Sequence, residues 1–197
     1  MLLKLLHQKN PDIQFHARTT LDFALHLHDV LELVFVHAGT ATAICSGKRY
    51  DLQPGDVFVS FPNQPHGYEN SRETDCDVLI MPTNPYLAPW RGLMSQKIPE
   101  IPVLCRDRWQ HTGVKTLLEM VRLERKPISL PVLQGYAMVI AGKLLPCMTL
   151  TASAFLTTGK GYYENYKNDK SFSSYGLPSF VIGDTVIESV NLIQQKW

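Results

Sequence analysis

Residues 20–82 break into short β-prone runs separated at close intervals by turn signals, and this spacing constrains the fold more than any other feature. Leu31-Glu32-Leu33-Val34-Phe35-Val36 is β-branched and apolar, and Ala38-Gly39 ends it. Thr40-Ala41-Thr42-Ala43-Ile44 alternates, then Ser46-Gly47-Lys48 turns tightly into Arg49-Tyr50-Asp51-Leu52, a hairpin signal. Pro54-Gly55-Asp56 makes a second turn, because Pro presets φ and Gly supplies a positive φ. Val57-Phe58-Val59-Ser60-Phe61 reads as a strand stopped by Pro62, and residues 65–68 and 76–81 complete the set. Many short strands with frequent turns predict an antiparallel barrel or sandwich.

The rest of the chain follows other rules. Residues 83–108 read as loop, with Pro at 85, 89, 99 and 102. Val114, Leu117, Leu118 and Val121 then fall at helical spacing, in a pattern that stops before Pro127. Leu133, Tyr136, Ile140 and Leu144 repeat it, Val132 and Val139 widen the face, and Pro146 ends it. Two amphipathic helices joined by a short loop predict an antiparallel hairpin, packed on the β unit and leaving apolar surface for a partner subunit. Residues 149–183 show little periodicity. Thr185 and Glu188 match a capping box, and Val186, Val190 and Ile193 make one stripe, so a short helical tail is expected.

Composition narrows the function. The 197 residues suit one domain and strain at two, and 45% apolar content is enough for a core. The net charge of +1 excludes a chain that is basic throughout, the usual footprint of a nucleic-acid binder. Charge is uneven: residues 1–85 carry six Lys/Arg against ten Asp/Glu, residues 86–159 nine against four, and residues 160–197 four against four. Cysteines 45, 76, 105 and 147 have no paired spacing and read as reduced thiols of a cytoplasmic protein. The apolar run at residues 1–6 is too short for a signal segment, and the absence of eighteen consecutive apolar residues argues against a membrane span.

One constellation carries chemistry. His26-x-His28 is followed by Glu32 and Gly39, and Pro54-Gly55-Asp56 is followed by His66 and Asn70. In a strand, residues i and i+2 face one side, so His26 and His28 point together into the β unit, where Glu32 and His66 can converge on them. Three imidazoles and a carboxylate suit a divalent metal such as Zn, Fe, Ni or Mn. The same groups, with Tyr68, also suit a small polar ligand held without any metal.

The intervals resemble the two signature motifs of the cupin superfamily, with Pro62 displaced by one residue and Gln64 where the second motif prefers Gly. More widely, Leu27-His28, Glu32-Leu33, Gly39, residues 47–58 and Pro62-Asn63-Gln64-Pro65-His66-Gly67-Tyr68 resemble the N-terminal sensor domain of AraC-type transcription regulators. The resemblance covers about residues 5–150, including Leu144-Leu145-Pro146 at the end of the second helix. It implies a fold that is mainly β with α: a small cupin-like antiparallel β-barrel, then a helical hairpin and a short helical tail. It also implies a small-molecule effector inside the barrel, often a sugar or other small polar molecule, and a homodimer formed through the helices. The segment around Phe15 to Thr20 would correspond to the family's arm near the pocket mouth. Full family members read DNA with two helix-turn-helix units. Here residues 163–172 look like the opening of the first unit and residues 182–187 like the approach to its recognition helix. Tyr175-Gly176-Leu177-Pro178 between them is poor helix material, and the second unit is absent.

The expectation is therefore three parts: a barrel sensor at 1–85, a linker and dimerisation hairpin at 86–148, and a helix-turn-helix remnant at 149–197. The ligand-binding residues would be His26, His28, Glu32, His66 and Tyr68. A metal, if held, would sit on His26, His28, Glu32 and His66, and no cofactor is required. The chain would be a cytoplasmic, non-enzymatic part of transcription regulation, with no membrane partner and DNA binding impaired. The alternative is a metal-dependent cupin enzyme, an isomerase or dioxygenase, using the three-His, one-Glu site. Arg106, Arg108, Arg122, Arg125 and Lys126 are expected on the solvated face of the hairpin. Trp90, Trp109 and Cys45 read as packing residues, and His37 and His111 receive no role.

Overall fold

A computed structural model describes residues 3–8, 12–21, 23–69, 73–83, 86–152, 179–182 and 185–190. Strands β1 (Leu3–Gln8), β2 (Gln14–Thr19), β3 (His26–His28), β4 (Val30–Ala38), β5 (Ala41–Cys45), β6 (Lys48–Leu52), β7 (Val57–Ser60), β8 (His66–Glu69) and β9 (Asp75–Pro82) come first. They are followed by α1 (Ala88–Met94), β10 (Lys97–Pro99), β11 (Val103–Leu104), α2 (Arg106–Trp109), α3 (Val114–Leu123), α4 (Leu130–Leu144), β12 (Leu150–Ala152), β13 (Ser179–Ile182) and β14 (Thr185–Val190).

The strands form a seven-stranded sheet in the order β13-β14-β1-β3-β8-β5-β6 and a five-stranded sheet in the order β11-β7-β4-β9-β2, with β10 and β12 paired apart. The two main sheets pack on each other without closing into a barrel, so the expected cupin-like architecture is present in open form. Pairing is antiparallel except where β1 lies parallel to both β14 and β3. At the β5–β6 hairpin Ser46 and Gly47 both have positive φ, 50° and 79°, as a two-residue turn between twisted strands requires.

Strand β4 shows why the sequence ran apolar without alternating. Val34 and Val36 face the seven-stranded sheet, packing with Ala43, Leu52, Phe58 and Ile80. Leu31, Leu33 and Phe35 face the other way, against Leu118, Ile140 and Leu144 of the helices. The five-stranded sheet is thus the middle layer of three, and its central strand is covered on both faces. Each fully buried aliphatic side chain contributes roughly 1.5–3 kcal/mol.

The helical hairpin at α3 and α4 lies where the spacing placed it. Residues 130–147 are long and apolar enough to cross a membrane by length and composition alone. In this fold Ala137, Ile140, Ala141 and Leu144 spend that apolar character on the middle sheet. Met120, Leu123, Leu130, Val132, Met138 and Val139 remain exposed.

Two expectations are corrected. Residues 185–190 form a strand, not a helix: Thr185, Val186, Ile187 and Val190 are β-branched, and pairing with β1 and β13 overrides the capping pattern. Residues 83–108 hold two helices and two strands, because Pro89 sits in the first turn of α1, where proline is tolerated. Within the Phe15–Thr20 segment, β2 is the edge strand of its sheet, paired with β9. Asn70, residues 163–172, 175–178 and Ile193 lie outside the described residues.

Candidate functional site

Sheet register brings the sequence-separated residues together. His26 and His66 are direct partners across β3 and β8, and Glu32 lies opposite Ser60 across β4 and β7. His26, His28, Glu32, His66 and Tyr68 are all buried between the two sheets. Each of His26, His28, Glu32 and His66 offers a ligand atom, and these atoms lie within 4.8 Å of one another. The imidazole centroids are 4.2 Å apart for His26–His66 and 4.7 Å for His28–His66. Phe58 flanks His66 and Tyr68, so this polar island has an apolar wall.

Glu32 is the hub. Its Oε2 accepts from His28 Nε2 at 3.1 Å, and its Oε1 accepts from the Tyr68 hydroxyl at 2.5 Å. Burial alone would raise its pKa; the neighbouring His66 imidazole and the hydrogen bond from His28 outweigh burial and hold it well below the usual carboxylate range. Burial, the Glu32 charge and the hydrogen bond to it push the Tyr68 phenol well above its ordinary value, so it stays a donor. Burial and the neighbouring His66 push His26 down to about 4, so at neutral pH its ring is uncharged.

The main chain decides where the imidazole protons sit. His26 Nδ1 donates to the Ala24 carbonyl at 2.9 Å. His66 Nδ1 donates to the Gln64 carbonyl at 2.8 Å, with Ser60 Oγ at 2.9 Å beside it. A carbonyl only accepts, so both rings carry their proton on Nδ1 when neutral and turn an Nε2 lone pair inward. His66 Nε2 stands 3.5 Å from Glu32 Oε1 and has no hydrogen-bond partner; His28 Nδ1 is also buried without one. Two acceptors facing each other need a proton, a cation or a donor hydrogen between them.

The donor set fits a divalent metal by this test. Carbonyl-anchored imidazoles and a hydrogen-bonded carboxylate are the usual outer support of metal ligands. Ligands at about 2.0–2.2 Å from one ion can lie no more than about 4.4 Å apart, so the widest pair here would close by a few tenths of an ångström.

All five residues singled out in the sequence therefore meet at one place. Ser60 and Gln64, which orient His66, were not singled out. Gln64 could have been: its Oε1 accepts from the Phe61 N–H at 2.7 Å and shapes the turn where the cupin pattern prefers Gly. His37 gained no role from spacing, yet its Nε2 lies 3.1 Å from the buried Asp77 carboxylate, which Arg122 of α3 also engages.

Comparison with known proteins agrees with this fold. The AraC-like transcriptional activator CuxR superposes with a TM-score of 0.50 at 12% identity, over 73% of this chain. The chain spans about half of CuxR's length, 54%. ToxT from Vibrio cholerae gives a TM-score of 0.43 at 11% identity, over 82% of this chain and 68% of its own. No curated protein sequence matches the chain. The family model of the AraC-like ligand binding domain matches residues 11–113, more than half of the chain and all five residues of the buried cluster, and the chain belongs to that family.

Proposed function

We propose that this chain is the effector-sensing and dimerisation part of an AraC-type transcription regulator, with the effector bound at His26, His28, Glu32, His66 and Tyr68. One observation carries the reading: the buried His66 Nε2, without a hydrogen-bond partner, faces the Glu32 carboxylate at 3.5 Å within an AraC-like ligand binding domain. A hydroxyl-bearing molecule, such as a sugar or other small polar compound, supplies the missing donor hydrogens. No catalytic role is assigned, and cytoplasmic placement goes with the regulator reading. Dimerisation would use the hairpin, where Met120, Leu123, Met138 and Val139 are exposed. DNA reading by the chain alone is proposed to be impaired. Residues 160–197 balance four cations with four anions, and residues 185–190 are a strand, which suits neither phosphate neutralisation nor a recognition helix. The domain division at 85 and 148 remains part of this proposal.

Isothermal titration of the purified chain with sugars and small polar acids tests it. Saturable binding is expected, lost in Glu32→Gln and His66→Ala. A chain that binds nothing and stays monomeric at micromolar concentration overturns it. Gel-shift assays with the DNA upstream of its own gene should show no salt-sensitive complex.

The second reading, a metal-dependent cupin enzyme, is favoured by the donor set itself. A divalent ion would sit on His26, His28, Glu32 and His66 and, when bound, act as a Lewis acid. Elemental analysis of protein purified without a histidine tag decides: about one equivalent supports it, and far less refutes it.

A further inference from the structure

We propose that the chain carries a second ligand site, outside the interior cluster, for a small organic anion: a carboxylate or phosphate monoester on a compact apolar body. The site is a cavity of about 220 Å³ where the end of β4, the Pro54–Gly55 turn, α2 and α3 meet. Arg106, Lys115, Arg122 and His37 line it, and no carboxylate among the described residues does. Arg122 is shared with Asp77, but its Nε is buried without a hydrogen-bond partner. Arg106 and Lys115 take part in no ion pair among the described residues. Two uncompensated cations beside a partly compensated third make a local positive potential, although the whole chain is nearly neutral.

The walls are built rather than incidental. Gly55, at φ +98°, lies against the aliphatic stem of Arg106: a Cβ there would stand 3.0 Å from Arg106 Cδ. Trp109 Nε1 donates to the Gly55 carbonyl at 3.0 Å, and the Gly55 N–H donates to the Val36 carbonyl at 2.8 Å. The turn is therefore clamped between α2 and β4, which holds Arg106 over one side. Lys115, Leu118 and Arg122 fall at i, i+3 and i+7 of α3, so one helix face supplies the opposite side. Phe35, Leu118 and Trp109 supply apolar surface below the cations. An apolar floor under converging cations selects an amphipathic anion over a bare one.

The test uses the full chain with phenyl phosphate, benzoate and inorganic phosphate as probes, followed by titration calorimetry and Trp109 fluorescence. Saturable, salt-sensitive binding of phenyl phosphate or benzoate is expected, and the tighter of the two identifies the headgroup. Arg106→Gln with Lys115→Gln keeps the first two methylenes of each stem and should weaken binding at least about tenfold, the effect of losing two partly screened charge-assisted contacts. Glu32→Gln, in the interior cluster, should leave it unchanged, which separates this site from the proposed effector site. Absence of saturable binding up to about 10 mM, full affinity in the double variant, loss of binding in Glu32→Gln, or equal affinity for inorganic phosphate each overturns the assignment.

Discussion

Replacing Asp77 should show how firmly the helical layer is tied to the middle sheet. Asp77 on β9 is fully buried. Its carboxylate accepts from Arg122 of α3 and from the Arg18 main-chain N–H at 3.0 Å, and it lies 3.1 Å from His37 Nε2 of β4. Asp77→Ala strips one helix and two strands of a shared acceptor. Breaking a fully buried pair costs about 3–5 kcal/mol; the Arg122 side chain is 24% exposed and can rehydrate, so about 2–4 kcal/mol is expected. With an m-value of about 2 kcal/mol/M, the urea midpoint should fall by about 1–2 M with the slope unchanged. Asp77→Asn retains a neutral acceptor and should cost less. The acid limb gives a second readout. Burial would raise the Asp77 carboxyl, but the hydrogen bonds from His37, Arg122 and the Arg18 N–H lower it below its ordinary value. A lowered folded pKa contributes stability that is present above the unfolded pKa of about 4 and disappears as pH falls through the folded value. Asp77→Asn should therefore lose less stability than the wild type on acidification below about pH 4. An alanine variant within about 0.5 kcal/mol of wild type, or an asparagine variant with an unaltered acid limb, would refute the reasoning.

Other substitutions read other parts of the fold. Gly39→Ala forces a Cβ to within 2.3 Å of the Glu73 carbonyl oxygen at φ +73°, so at least about 1–3 kcal/mol should be lost in a thermal melt; an unchanged midpoint contradicts this. Tyr68→Phe removes the 2.5 Å donor from Glu32, and chemical denaturation should show a loss of about 1.5–3 kcal/mol together with weaker effector binding. Leu123→Glu changes a side chain that is 86% exposed, so stability should move by less than about 0.5 kcal/mol. Light scattering should nonetheless report monomers if the hairpin is the dimer contact; an intact dimer places the interface elsewhere.

The interior site was legible because its signals are local and periodic. His26-x-His28 fixes a face by the alternation of a strand, and the intervals to Glu32 and His66 are held by tight turns such as Ser46-Gly47. What escaped depends on contacts that no interval encodes. Arg106 and Arg122 read as part of a solvated basic face, and only the packing of α2 and α3 on β4 draws them together with Lys115. The Asp77, His37 and Arg122 cluster joins three elements that share no pattern. At residues 185–190 a local capping signal lost to sheet pairing with a strand from the other end of the chain, an outcome local sequence cannot weigh. Prolines misled at α1, where a residue read as a loop marker sits in a helical first turn.

The carbonyls of Ala24 and Gln64 have a consequence for how this site can change over generations. They belong to the main chain, so no substitution at positions 24 or 64 removes the acceptor itself. Mutation can delete an imidazole or reshape the wall around it, but while the turns hold, any histidine kept at 26 or 66 arrives with the same tautomer. Under the proposed effector reading, ligand preference can thus drift through Phe58, Tyr68 and their neighbours while the inward lone pairs persist, a form of mutational robustness written in backbone rather than side chains.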